Sequence, residues 1–206
     1  LTSAASLRAH HARGAVSWDI VRGVTPGILL GTFGGTFLAS RVPTVPLALF
    51  FVSFMAYVAL QMAMNVKPRP ARQLPGAPGL FGVGSVIGLV SALVAIGGGS
   101  LSVPFMTWCN VRMQNAIGTS AAIGLPISVA GAVGYFINGA GVVGLPPYSV
   151  GYLYVPAMCC ISLVSITTAP LGAKWAHELP VATLKKIFAG VLLLLSAKML
   201  HSVFVQ

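Results

Sequence analysis

Only two acidic side chains, Asp19 and Glu178, occur in a chain of 206 residues. That scarcity constrains the fold more than any motif does. A water-soluble domain of this size covers its surface with charge, whereas here 7% of residues are charged and 56% are apolar. Long apolar runs recur, such as Pro46 to Val66 and Leu184 to Leu195 with its flanks. Each can reach the ~20 residues that cross a hydrocarbon core. Backbone polar groups there must be satisfied within the segment, and a helix does so. The chain is therefore expected to be all-α, a polytopic transmembrane helical bundle in contact with the lipid bilayer.

Twelve Lys and Arg residues raise the net charge to +10. They fall between apolar spans rather than on a soluble face with stacking aromatics, so membrane topology explains them and nucleic acid is not an expected partner. Cys109, Cys159 and Cys160 have no metal-ligand spacing, and His10, His11, His177 and His201 form no HExxH pattern. Two distant acids supply neither a hydrolase triad nor paired carboxylates. Gly82 and Gly84 with Gly88 lack the strand and acidic partner of a dinucleotide loop. No enzyme, metal or cofactor is expected.

The coarse order of segments is a span end at Leu1 to Ala9, a basic loop, then spans at Ile20–Ser40 and Pro46–Val66. A Pro-rich basic linker follows at 67–79, then a broken region from Leu80 to Met113. Further spans run Ala116–Ile137, Tyr148–Trp175 and Leu184–Val205, with the uncharged loop NGAGVVGLPP before the second of these. The two sides of the linker resemble each other. Residues 1–14 lie over 126–139, matching Ser3 with Ser128 and Gly14 with Gly139. Residues 35–51 lie over 172–188, matching Gly35 with Gly172, Ala39 with Ala176, Pro43 with Pro180, Leu47 with Leu184 and Phe51 with Phe188. This divides the chain into a first repeat at 1–66, the linker, and a second repeat at 80–206. The first repeat has no counterpart of residues 82–125. If both copies are full, roughly 45 residues precede Leu1, and the chain is expected to be a fragment.

Charge placement selects the topology. If residues 80–115 cross the membrane once, basic residues divide almost evenly between its faces. If that segment enters and leaves on one face, only Arg41 and Lys198 of the twelve basic residues lie opposite. The second arrangement is the expected one. It makes the repeats inverted, with HHARG inside and NGAGVVG outside, and it makes the broken segment re-entrant.

Within that segment Gly97, Gly98 and Gly99 interrupt an apolar run, followed by Ser100, Pro104, Asn115 and the triplet Gly118-Thr119-Ser120. Breaks of this kind persist in lipid only where protein buries them or they line a wet cavity, and broken helices are where membrane carriers hold solutes. A broken helix N-terminus offers free N–H groups and the positive end of a dipole. Glycine admits a ligand close to the backbone. Ser100, Ser102, Asn115, Thr119 and Ser120 add neutral hydrogen-bonding groups suited to oxyanion oxygens. Gly97, Gly98, Gly99, Ser100, Pro104, Asn115, Gly118, Thr119 and Ser120 are the candidate substrate-binding residues, and a small anion is the expected substrate.

The stretches GLVSALVAIGGGSLSVPFM and NAIGTSAAIGLPISVAGAVGYFINGAG, with LTSAASLRAHHARGAVSW and TPGILLGTFGGTFLASRVP earlier, resemble the TauE/SafE group of sulfite and organosulfonate transporters. The resemblance implies a multi-pass carrier in the inner membrane that moves sulfite, sulfonates or related organosulfur acids, with two copies of the glycine motif. This chain holds one copy. A different reading stays open, in which the glycines serve only close helix packing and the protein is a non-transporting assembly partner or scaffold.

Overall fold

A computed structural model describes all residues except 1, 13, 65–72, 95–96, 179–180 and 205–206. In chain order the elements are α1 (Thr2–His11), α2 (Trp18–Ala39), α3 (Thr44–Ala63), α4 (Ala77–Val94), α5 (Gly99–Trp108), α6 (Met113–Gly139), β1 (Ser149–Val150), β2 (Leu153–Tyr154), α7 (Val155–Glu178) and α8 (Val181–Phe204). The strands form one antiparallel hairpin that pairs Ser149 with Tyr154 and Val150 with Leu153. Among the described residues, three helices are long and apolar enough to cross a membrane: Thr44–Gln61, Ala77–Val94 and Gln114–Gly139. The chain is an all-α bundle of membrane-spanning type, as its composition dictates.

Two compact units divide it, Leu1–Arg41 with Pro68–Ser162 and Val42–Lys67 with Leu163–Gln206. In the first unit the governing contact is between α2 and α4. Glycines recur every fourth residue along α2, at 23, 27, 31 and 35, and α4 answers with Gly84, Gly88 and Ala92. A methyl at Gly27 would overlap the Phe81 carbonyl, at Gly31 the Ser85 carbonyl, and at Gly84 the Val24 carbonyl. The two backbones thus touch directly, a small-residue contact that lets Cα–H groups meet carbonyl oxygens. The order of contacts, Gly23 with Leu80 through to Gly35 with Ala92, makes α2 and α4 parallel.

Helix α6 also runs parallel to α2, since Ser17 bonds Thr119 near one end and Thr36 meets Gly134 and Asn138 near the other. Helix α1 lies antiparallel on α6, with the Ser3 and Ser128 hydroxyls 3.1 Å apart. A core of Ile20, Val21, Val24, Ile28, Ile87, Met106, Ala116, Ala122, Ile123 and Ile127 fills the space between α2, α4, α5 and α6.

Because α4 and α6 both start at the end where α2 starts, the chain must return between them. Helix α5 makes that return, antiparallel to α6, and Asn110 at φ 63° closes the turn. Asparagine is among the few side chains that accept this left-handed conformation. The expected element that leaves and re-enters on one side is therefore present within this unit. Its end carries exposed Arg8, Arg22 and Arg112, whereas Arg41 stands at the opposite end with its guanidinium 3.5 Å above the Phe37 ring. Arg13, Lys67, Arg69 and Arg72 lie outside the described residues.

In the second unit α3 packs on α8 through buried Ala48, Met55, Val58 and Ala59 on one helix and Ala189, Leu192 and Ser196 on the other. One expected boundary needs correcting. The span placed at Tyr148–Trp175 begins as a helix only at Val155. Tyr148 at φ 68° and Gly151 at φ 61° bend residues 148–154 into the hairpin, and Pro156 takes the second helical position rather than an interior one. Proline fits there because first-turn N–H groups have no intrahelical acceptor.

Candidate functional site

Helix α4 ends at Val94 and α5 begins at Gly99; residues 95 and 96 of the glycine motif lie outside the described set. Gly98 caps α5 without a side-chain bond and is buried. Its neighbours are Ile87 of α4 and Ile123 and Ile127 of α6, with a methyl there overlapping Ile127 Cδ1. These isoleucines stand near the middle of their helices. The short helix thus starts halfway along the bundle, and its ten residues span about 15 Å.

The amides of Leu101 and Ser102 bond the Gly98 carbonyl at 3.3 and 2.8 Å. The two preceding N–H groups, of Gly99 and Ser100, fall in the first turn, where a helix supplies no acceptor of its own. One turn further in, the Ser102 hydroxyl donates to the Ser120 hydroxyl at 3.0 Å, and both side chains are buried. Ser120 accepts that bond and keeps its own proton for another acceptor. Gly99 faces it: a Cβ there would stand 3.2 Å from Ser120 Oγ. Two first-turn N–H groups and the Ser120 hydroxyl thus stand at the start of α5, and no basic side chain is buried among the described residues. A small anion, or the oxygen end of a larger one, is the ligand such a donor set accommodates.

The expected site residues separate into groups. Gly98, Gly99, Ser100 and Ser120 lie at the start of α5, together with Ser102. Gly97 is exposed with open space where a side chain would go. Pro104 sits half-buried inside α5, and Asn115 half-buried in the first turn of α6. Gly118 and Thr119 face another way. The Ala15 carbonyl occupies the place of a Gly118 side chain, and the Ser17 amide donates 2.9 Å to Thr119 Oγ1. Thr119 thus satisfies the N–H of the residue that caps α2, the part that a Glu or Gln side chain plays in a capping box.

Tyr135 was missed in the sequence. Its hydroxyl donates 2.9 Å to the Ala92 carbonyl, one of the last of α4, and so ties the end of that helix to α6 at the break. A tyrosine in an apolar run carries a polar tip needing a partner, which was the available signal. The glycine spacing of α2 was the other signal left unread.

The sulfite exporter TauE/SafE family model matches residues 1–199. A "probable membrane transporter protein" of Haemophilus influenzae is 33% identical over 97% of this chain and 76% of its own length. Two proteins called "probable membrane transporter protein MamO" are similar over 97% of this chain. The one from Paramagnetospirillum magneticum is 28% identical and matched over 36% of its length, and the one from Magnetospirillum gryphiswaldense is 29% identical and matched over 37%. The chain thus spans little more than a third of those two proteins. No solved structure matches. A bundle of membrane-spanning helices with a broken central element, matched almost end to end, thus belongs to the sulfite exporter TauE/SafE family of membrane transporters.

Proposed function

We propose that the protein carries a small sulfur oxyanion, sulfite or an organosulfonate, across the inner membrane, and that the anion binds at the start of α5. The observation that carries this reading is the helix start halfway along the bundle beside the Ser102–Ser120 hydroxyl pair. Sulfite and sulfonate oxygens accept several hydrogen bonds at once, which matches donors from Gly99, Ser100 and Ser120. The donors are neutral, so the anion is held without the tight charge pairing that would hinder release. The family supports the substrate class in the same direction.

The division into repeats at 1–66 and 80–206 belongs to this proposal. Ser3 and Ser128, matched in sequence, touch each other. Continuing the second match at the same spacing pairs Met55 with Leu192 and Ala59 with Ser196, and all four are buried. The latter pairs lie on α3 and α8, which pack on each other, and contact between matched positions, as at Ser3 and Ser128, is what a two-fold related pair makes.

Uptake of radiolabelled sulfite and sulfoacetate by proteoliposomes tests the reading. Flux should exceed that of protein-free vesicles, and Gly99→Leu should abolish it by filling the space before Ser120. Equal flux through Gly99→Leu protein that elutes as a folded species overturns the site; equal flux with and without protein overturns the substrate.

A further inference from the structure

Between Arg112 and Lys174 the chain contains no charged residue, and this stretch includes the whole connection from α6 to α7. Exposure there falls on large apolar and aromatic groups: Val143 is 97% and Tyr148 79% exposed, with Val142, Val150, Tyr152 and Tyr154 also exposed. Water favours none of these surfaces, yet the connection is built as a defined hairpin. Two paired residues per strand do not hold a hairpin together alone.

What holds it is α6. The Tyr152 amide donates 3.2 Å to the Tyr135 carbonyl, and Gly139 and Gly151 lack side chains where the two backbones touch. The hairpin therefore lies beside the last turn of α6 and not beyond it. At that level the outward face of α6 carries exposed Val133, Phe136 and Ile137, so the hairpin extends the apolar surface with which the helix meets lipid. Tyrosine combines an apolar ring with a hydroxyl, and such residues collect where acyl chains give way to headgroups.

We propose that residues 142–154 lie in the headgroup layer of the bilayer at this end, the tyrosine hydroxyls toward phosphate and glycerol oxygens and Val143 toward the acyl chains. The occupant of this surface is lipid. The proposal rests on the membrane assignment and is independent of which solute is carried.

Trp18, Trp108 and Trp175 are replaced by Phe, and single reporters Val143→Trp and Tyr148→Trp are placed in phosphatidylcholine vesicles. Lipids brominated at shallow or deep acyl positions and aqueous iodide serve as quenchers. The expected result is blue-shifted emission from Val143→Trp, quenched severalfold more by shallow than by deep bromines and hardly by iodide. Tyr148→Trp should be quenched by shallow bromines as well. Iodide quenching close to that of free tryptophan overturns the proposal, because the loop then stands in water. Bromine quenching that vanishes as the protein-to-lipid ratio rises overturns it too, because a second copy of the chain then covers the surface.

Discussion

Thr119 and Ser120 carry adjacent buried hydroxyls with different tasks, and single substitutions separate those tasks. Thr119 accepts the Ser17 amide, so Thr119→Val keeps the shape but leaves that N–H unpaired inside the protein. A loss of about 1–3 kcal/mol is expected, visible as a lower melting temperature in detergent, with sulfite flux through folded protein retained. Ser120→Ala removes the hydroxyl that faces Gly99 at the start of α5 and accepts from Ser102, so flux should fall tenfold or more. The reverse ranking of the two variants in flux would assign the anion to Thr119. At this scale the sequence was legible by residue type but not by direction. Gly118, Thr119 and Ser120 are adjacent, yet helical geometry turns Ser120 to α5 and its two neighbours to the loop ahead of α2, and neither partner is near in sequence.

At the scale of elements, glycine position decides whether helices associate. Gly31 meets the Ser85 backbone, whereas Gly34, three residues on, has nothing within 4 Å. Gly31→Val should therefore force α2 from α4 and abolish the monodisperse protein, while Gly34→Ala should leave melting temperature unchanged or slightly raised. Size-exclusion profiles of the two variants check this. Helix existence and most helix ends were legible from apolar length alone, because lipid leaves a backbone little choice. The hairpin at 149–154 was not. Its residues are as apolar as a span, and only two backbone turns, at Tyr148 and Gly151, separate the two outcomes. The parallel α2–α4 pairing was written in the four-residue glycine period of α2, but its partner lies beyond α3 and the linker, so no local pattern names it.

Across the whole molecule, the basic side chains assign the ends to sides of the membrane. Arg8, Arg22 and Arg112 mark one end of the first unit and Arg41 the other. With Cys109, Cys159 and Cys160 replaced by Ala, a cysteine at Ala140 should react with a membrane-impermeant maleimide on intact cells, and one at Ala12 only after permeabilisation. The opposite pattern would invert the orientation. The matched pair Ser3 and Ser128 should form a disulfide when both are cysteine, seen as loss of maleimide labelling under oxidant that reductant restores. The re-entrant return was legible in charge placement because no other topology gathers those residues at one end. The consequence of the α2–α4 contact reaches furthest. Two helices whose main chains touch have no layer of side chains between them to shear, so they form a stator. Within the first unit, the seams that can move are then the isoleucine-lined and hydroxyl-bonded ones along α5 and α6, where rotamers can give way.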